Sequence, residues 1–254
     1  GREHTELLGD TLSAILKEKA AVIPHGGKVV AGAFDPELKT ELKEICAGQE
    51  ASCHFLGDEL VVLADSRADT FDIFGLHGCY TDVRLKVLGN YQRANAAVSV
   101  AAVELFNGGE LDGEAVRTAL GTTVVPGRLE VISTQPLCIF DGSHNPPGME
   151  ETMRSLEQIL ERRRLIAVVS ILKDKEALEM ARHLVPHCDI IFATQSSSPR
   201  ALSADDLAAT IAKAGKDPDP RSAMVSAYRL ATSNQVVLVT GSFTLISDLK
   251  RGLN

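Results

Sequence analysis

Residues 137–172 read LCIFDGSHNPPGMEETMRSLEQILERRRLIAVVSIL, and this stretch decides the fold. It opens with a short apolar run that ends at Asp141 and closes with a second apolar run, Leu165–Leu172. Both runs are typical of buried strands. Between them, residues 148–164 carry apolar side chains at helical spacing, which predicts a helix. A buried strand, a helix and a second buried strand in succession predict a parallel pair of strands covered by the helix.

The same alternation continues towards the end of the sequence. Strands are predicted at residues 189–194 and 235–240, and helices at residues 175–184, after Ser203 and at residues 243–251. Strands this apolar, separated by helices, indicate a sheet that is covered on both faces. We therefore predict an α/β fold whose later half is a Rossmann-like, mostly parallel sheet.

The first half of the chain has a different pattern. Helices are predicted at residues 5–23, 36–47, 90–106 and 113–120, with a strand at residues 28–32. Short strand-like runs at residues 53–55, 60–63, 71–74 and 83–88 suggest the edge of an antiparallel sheet. Pro126–Gly127 marks the predicted boundary between two domains, residues 1–125 and residues 126–254.

The composition limits the kinds of partner. The 254 residues are 44% hydrophobic and 24% charged, which is typical of a globular protein with one or two cores. The net charge of −8 argues against a nucleic acid partner, because phosphate binding needs a basic face. No apolar run approaches the roughly 20 residues that span a bilayer, so no membrane partner is predicted.

The five cysteines are scattered along the sequence and never form a C-x-x-C pair. Cys138 and Cys188 lie in apolar runs, where cysteine behaves as a small core residue. This pattern predicts reduced thiols in a cytoplasmic protein, in preference to a disulfide framework or a zinc site.

Four polar clusters follow predicted strands of the second half. They are Asp141–Pro146, Lys173–Lys175, Gln195–Arg200 and Gly241–Ser242. In an open parallel sheet, ligands bind beyond the carboxyl ends of the strands. Asp141 could accept hydrogen bonds from a ribose, and the helix start at Ser242 could hold an anion. The four clusters together predict a ligand site at this edge.

Each cluster also has a simpler interpretation. Taken alone, Ser242 is more often an ordinary helix cap. His144 could be a turn residue that faces solvent, and Asp174 with Lys175 could be a charge pair at the start of a helix.

The sequence contains neither G-x-x-x-x-G-K-S/T nor G-x-G-x-x-G, so it has no phosphate or dinucleotide loop. The predicted fold alone therefore leaves the function undecided.

Eight short motifs follow one another along nearly the whole sequence. They are Gly1–Gly9, similar to D-H-x-x-x-L-G; Glu18–Ala20, to E-K-A; Gly89–Ala97, to G-x-H-Q-x-x-N-A; Pro126–Arg128, to P-G-R; Asp141–Pro146, to D-G-A-H-N-P; Leu172–Lys175, to L-x-D-K; Pro199–Leu202; and Val239–Ser242. In this order the motifs resemble the folylpolyglutamate synthase/dihydrofolate synthase family of the Mur ligase superfamily. Tyr91 departs from the family's histidine, and Ser143 from its alanine.

The resemblance implies that this sequence is the carboxy-terminal portion of such a protein. Residues 1–125 would be the α/β remnant of the Mur-type central ATPase domain, and residues 126–254 the Rossmann-like carboxy-terminal ligase domain. Members of the family begin with a P-loop domain that has no counterpart in the sequence. The chain alone is therefore expected to be inactive.

The chemistry implied by the resemblance is an ATP-dependent amide ligation. ATP phosphorylates a carboxylate of tetrahydrofolate or dihydropteroate, the amine of L-glutamate attacks, and phosphate leaves. Positive side chains and Mg²⁺ stabilise the charge on the transferred phosphoryl group. The implied cofactors are ATP and Mg²⁺, the implied substrates are a folate or dihydropteroate and L-glutamate, and a cytoplasmic monomer is expected.

The resemblance also assigns roles to individual residues. It implies His4 and carbamylated Lys19 as metal ligands; Lys19 and His144 as catalytic residues; Asn95, Arg128 and Asp141 as ATP-binding residues; and His144, Asp174 and Ser242 as residues that face glutamate. For Lys19 the simpler interpretation is a solvated helix lysine, because lysine is mostly exposed.

Two other functions stay open at this point. The first is another Mur-type ligase, with the same mechanism and a different amino acid acceptor. The second is a non-catalytic module that binds a nucleotide or glutamate. An assay with alternative acceptors would separate the first from a folate ligase, and the length of the reading frame would address the second.

Overall fold

The computed structural model describes residues 11–64, 69–211 and 213–251. The chain divides into two compact units. The first contains residues up to 86 together with residues 90–123, and the second contains residues 87–89 together with those from 124 onwards. The division at 123–124 lies close to the predicted boundary at 125–126, and the assignment of these units as functional domains stays a prediction.

The first unit combines helices with two small sheets. Its helices are α1 (Leu12–Ala20), α2 (Pro36–Gly48), α3 (Tyr91–Asn107) and α4 (Gly113–Thr122). Its strands are β1 (Lys28–Ala31), β2 (Ser52–Phe55), β3 (Val61–Leu63), β4 (Phe71–Phe74) and β5 (Cys79–Val83). Strands β3, β4 and β5 form an antiparallel sheet, and β1 pairs with β2 in parallel.

Two details of the sequence prediction were wrong in this unit. Residues 53–55 were expected in the antiparallel sheet, yet β2 runs parallel to β1. The reason is that α2 carries the chain back between the two strands, which is how parallel neighbours are connected. Residues 83–88 were expected as a strand, whereas β5 ends at Val83. Val83 pairs with Phe71, which is the first residue of β4, so the residues that follow Val83 have no strand partner in β4.

Glu104 on α3 is a fully buried carboxylate. It accepts hydrogen bonds from the N–H groups of Leu76 and Gly78 at 2.6 and 2.8 Å, and from the hydroxyl of Tyr80 at 2.8 Å. Burial, together with this carboxylate, raises the pKa of Tyr80 to about 12, so the hydroxyl stays protonated and donates. A Cβ at Gly75 would lie 2.5 Å from Glu104 Oε1. The turn between β4 and β5 is therefore built around Glu104.

The second unit is a six-stranded sheet with helices. Its strands are β6 (Glu130–Thr134), β7 (Leu137–Phe140), β8 (Arg164–Val169), β9 (Cys188–Ala193), β10 (Ala214–Lys216) and β11 (Gln235–Thr240). Its α-helices are α5 (Pro146–Leu160), α6 (Ala177–Leu184), α7 (Ala204–Thr210), α8 (Pro220–Leu230) and α9 (Phe243–Lys250). Among the described helices of the whole chain, none is both long and apolar enough to cross a membrane.

The strand order is β10-β9-β8-β11-β7-β6. Strand β6 runs antiparallel to β7, and the other pairings in this sheet are parallel. Strand β11 therefore lies in the middle, between β8 and β7, although it follows them in sequence. The mostly parallel α/β sheet predicted from the sequence is confirmed.

Both faces of this sheet are covered. On one face, Phe140, Val168 and Val239 pack in a core cluster with residues of α8 and α9. Ala167 and Leu238 alternate with these residues along their strands and are also fully buried, so the opposite face is covered too. The edge strands β6 and β10 were not predicted, because their exposed and partly exposed residues give no continuous apolar run.

We expect the substitution Glu104→Gln to lower the free energy of unfolding of the first unit by about 2–3 kcal/mol. The amide can no longer accept hydrogen bonds from donors on both sides of the original carboxylate. Urea denaturation measures the change. Glu44→Gln is the matched control, because Glu44 is an exposed glutamate on α2. Equal midpoints for the two variants would contradict the role given to Glu104.

Candidate active site

The candidate site lies where β7 and β11 end side by side. Phe140 is paired with Val239, and the N–H of Asp141 donates to the carbonyl of Val239 at 2.9 Å. Residues 141–144 continue from β7 and Gly241–Ser242 continues from β11, so both segments leave the sheet at the same edge. This is the edge at which open parallel sheets bind ligands.

The turn that contains the Pro-Gly-Arg motif is held against the end of β7. Gly127 has φ of +70°, a conformation that favours glycine. Its carbonyl accepts the N–H of Gly142 at 2.7 Å, and its own N–H donates to Glu130 Oε2 at 2.7 Å. The carboxylate of Glu130 also forms an ion pair with Lys250 on α9, with Nζ at 2.6 Å. These contacts give Arg128, the next residue after Gly127, a defined place.

Asp141 is only 1% exposed. Its Oδ2 accepts the N–H of Leu129 at 3.0 Å, and its Oδ1 accepts the N–H of Ser143 at 3.0 Å and the hydroxyl of Thr152 at 2.8 Å. Both carboxylate oxygens are thus used within the protein. The predicted contact between Asp141 and a nucleotide stays a prediction, and the geometry favours a positioning role.

Two of these hydrogen bonds lie directly beside predicted site residues. Leu129, which has φ of +45°, adjoins Arg128, and Ser143 adjoins His144. A carboxylate that accepts both N–H groups fixes the backbone of both loops at once. Asp141 therefore positions Arg128 and His144 relative to each other.

Arg128 and His144 both lie against the ring of Phe243, the first residue of α9. Cζ of Arg128 is 4.9 Å from the centroid of the ring, which is within the range of a cation–π interaction. The imidazole centroid of His144 is 6.0 Å from it, with 56° between the ring planes. The side chain of Phe243 was not predicted as part of the site, because nothing in the sequence links it to residues so far away in the chain.

The hydrogen bond of His144 indicates which ring nitrogen carries the proton. Nδ1 lies 2.9 Å from the carbonyl oxygen of Gly142. A carbonyl oxygen can only accept, so Nδ1 donates. In the neutral imidazole, Nε2 is then the basic nitrogen.

Ser242 is 3% exposed and caps α9, because its Oγ accepts the N–H of Thr244 at 3.1 Å. Gly241 before it has φ of +98°, and a Cβ there would lie 2.6 Å from the carbonyl oxygen of Ser170. The segment after β11 therefore requires glycine. The cap is the simpler of the two interpretations of Ser242, and its contact with glutamate stays a prediction.

Asp174 lies in the loop after β8, and its carboxylate forms an ion pair with Arg200 in the loop after β9. Its carboxylate is 3.3 Å from Nζ of Lys175 and 3.6 Å from a guanidinium nitrogen of Arg200. The N–H of Lys173 donates to the carbonyl of Arg200 at 2.8 Å, which joins the two loops. Partial burial acts to raise the pKa of Asp174, but the two cations and its own backbone N–H outweigh burial and hold the pKa below its usual value.

The remaining predicted residues belong to the first unit. Lys19 is exposed on α1, and Asn95 is exposed on α3, where its Nδ2 donates to Oε1 of Gln92 at 2.9 Å. His4 lies outside the described residues. Within residues 11–64, 69–211 and 213–251, no three His, Cys, Asp or Glu side chains come together as a metal-binding group. His4 is not among these residues, so the predicted metal ligands His4 and carbamylated Lys19 stay predictions.

Comparison with known protein families gives one match in the second unit. Residues 127–243 match the family described as Mur ligase, glutamate ligase domain. This range begins at the turn that carries Arg128 and ends at Phe243. Residues 127–243 belong to this Mur ligase family. The matched domain contains the site at the ends of β7 and β11.

Individual Mur ligase relatives are similar to the whole chain. The dihydrofolate synthase/folylpolyglutamate synthase of Bacillus subtilis is 31% identical over 261 residues, which cover 100% of this chain and 61% of that protein. The solved folylpolyglutamate synthase of Mycobacterium tuberculosis complexed with ADP has a TM-score of 0.89 at 29% identity, and covers 97% of this chain and 60% of that one.

A third relative was solved with more of its ligands. It is a bifunctional folylpolyglutamate synthase/dihydrofolate synthase with Mn, AMPPNP and L-glutamate bound. It superimposes with a TM-score of 0.84 at 26% identity, and covers 100% of this chain and 60% of that one. The chain thus spans about 60% of the length of each of these three relatives.

We expect Asp141→Asn to lower the free energy of unfolding of the second unit by about 2–3 kcal/mol, because the amide nitrogen must face one of the buried donors. Thermal and urea unfolding measure the change. Asp205→Asn is the control, since Asp205 is a 73% exposed partner of Lys216 and a surface pair contributes less than about 1 kcal/mol. A change as small as that of the control would rule out the positioning role of Asp141.

Proposed function

We propose that this chain is the carboxy-terminal portion of a folylpolyglutamate synthase/dihydrofolate synthase. The parent enzyme joins L-glutamate to a folate, or to dihydropteroate, in an ATP-dependent reaction. The observation that carries the proposal is the convergence of Arg128 and His144 on Phe243 at the carboxyl edge of the sheet. The similarity to the synthases, along the whole chain, supports the choice of a folate as acceptor.

The proposed reaction has two steps. In the first, an oxygen of the folate carboxylate attacks the γ-phosphorus of ATP, which gives an acyl phosphate and ADP. In the second, the glutamate nitrogen attacks the acyl carbon, the C–N bond forms, the C–O bond to phosphate breaks, and inorganic phosphate leaves. The amine loses a proton in this second step, so a nearby base assists it.

The side chains at the sheet edge suit different parts of this reaction. The guanidinium of Arg128 is permanently charged and suits the phosphate oxygens of ATP. His144 presents Nε2 as its basic nitrogen, because Nδ1 donates to Gly142. In the proposed mechanism, His144 faces glutamate and accepts the proton of its attacking amine. Asp174 and Ser242 are proposed to line the glutamate side of the same edge.

Three residues of the first unit are also proposed to take part in the reaction. Asn95 is proposed near the adenine of ATP, and His4 and carbamylated Lys19 as magnesium ligands. The solved relative with Mn and AMPPNP supports the use of ATP with a divalent metal. Such a metal, when bound, would stabilise the charge on the transferred phosphoryl group. The monomeric state and the cytoplasmic location stay predictions.

The proposed function is tested in the protein as its reading frame encodes it. Purified protein is incubated with ATP, L-glutamate and one acceptor: dihydropteroate, tetrahydrofolate or a peptidoglycan precursor. Mass spectrometry detects the glutamylated product. Product from a folate acceptor is the expected result, product from the peptidoglycan precursor alone would favour another Mur-type ligase, and binding without product would favour a non-catalytic module. The 254-residue chain alone is expected to be inactive, because its sequence has no P-loop.

We expect His144→Ala to lower kcat/KM for glutamate by about 100-fold, the effect typical of losing a general base, while KM for ATP stays close to the wild-type value. Arg128→Ala should raise KM for ATP and leave KM for glutamate nearly unchanged. His25→Ala and Arg154→Ala are the controls, because both side chains are exposed and lie outside the site. Unchanged use of glutamate by His144→Ala would remove His144 from the mechanism.

A further inference from the structure

The ring of Phe243 occupies a place in the site that the family motifs do not explain. Phe243 is the first residue of α9 and is 42% exposed. The helix itself does not require this side chain to contact a polar site. Both Arg128 and His144 lie against the ring. We propose that Phe243 is a positioning residue that sets the spacing between Arg128 and His144. The identity of the substrates in this inference rests on the proposed function.

Two glycines of the neighbouring loops lie directly against the ring of Phe243. A Cβ added to Gly142 would lie 2.5 Å from Cε1 and Cζ of the ring, and one added to Gly127 would lie 3.0 Å from Cε1. The N–H of Gly142 donates to the carbonyl of Gly127, so the two glycines form one surface under the ring. The ring is therefore held in place by the loops that carry Arg128 and His144.

The ring of Phe243 makes a different type of contact with Arg128 than with His144. The guanidinium of Arg128 is attracted to the π face, which restricts the plane and the direction of its N–H groups. The imidazole of His144 meets the ring in a tilted arrangement, which is a favoured geometry for aromatic pairs. The single residue Phe243 thus limits the rotation of both the Arg128 and the His144 side chains.

This arrangement links the two substrate sides of the site. Arg128 comes from the turn before β6, and His144 from the loop after β7, so no local segment of chain joins their side chains. Asp141 fixes the backbone of the two loops, and Phe243 fixes the side chains above them. A change at Phe243 should therefore affect ATP and glutamate together, whereas a change at Arg128 or His144 affects one of them.

The kinetic test uses Phe243→Leu in the protein as its reading frame encodes it. We expect KM for ATP and KM for glutamate each to rise about two- to fivefold, which corresponds to the loss of an exposed cation–π contact. A purely structural role would lower the amount of active protein, and so kcat, without moving either KM. Phe106→Leu is the matched control, because Phe106 is 90% exposed on α3. A fall in kcat alone would overturn the proposal.

A second variant tests whether Gly142 acts through the ring. Gly142→Ala should raise both KM values in the wild-type background, because its methyl group displaces the ring. The same substitution should have almost no further effect in a Phe243→Ala background, where the ring is gone. Equal effects in the two backgrounds would contradict the proposal, even if Phe243→Leu were to fold poorly.

An NMR experiment tests the positioning role of Phe243 independently of the proposed function. Because Arg128 and His144 lie close to the ring, we expect the ring current of Phe243 to shift the NMR signals of Arg128 Hε and of the His144 ring protons in the 254-residue chain. These signals should move in Phe243→Leu and stay in place in Phe106→Leu. If the wild-type protein forms no glutamylated product, the proposed function fails, and this experiment still tests the positioning role. Unmoved signals in Phe243→Leu would overturn that role whatever the activity.

Discussion

The buried carboxylate of Asp141 is the interaction on which the geometry of the site depends. It lies at the end of β7 and accepts N–H groups from two loops that are separate in sequence. A buried carboxylate is stable only when protein donors replace the water it has lost. The same requirement therefore holds the two loops in a single arrangement. This arrangement determines the positions of Arg128 and His144, because Arg128 adjoins the donor Leu129 and His144 adjoins the donor Ser143.

Much of the second unit could be predicted from the sequence because its central strands are buried on both faces. A strand such as β11 is apolar at nearly every position, and that pattern identifies it without any tertiary information. The edge strands β6 and β10 lack the pattern, because one side of an edge strand is free of neighbours. The parallel pairing of β2 was missed for a related reason: a short apolar run does not indicate the direction of its partner.

Only part of the candidate site could be predicted from the sequence. The polar residues after the strands could be found, because ligand sites of parallel sheets lie at the carboxyl edge. The sequence could not distinguish side chains that face a ligand from those that hold the loops. The contact of Asp141 with a nucleotide stays a prediction, whereas its burial, which favours a positioning role, is visible only in the folded chain. Phe243 was assigned only to a helix, since its contacts with Arg128 and His144 depend on the folded chain.

The strand order has a consequence for how the protein is made. Strand β11 occupies the centre of the sheet, yet it is synthesised after both of its neighbours. Until it arrives, β7 and β8 each expose an unpaired edge of backbone N–H and C=O groups between apolar faces. Such edges invite pairing with other chains. During synthesis on the ribosome, the sheet therefore cannot be completed in its middle until β11 has left the ribosome.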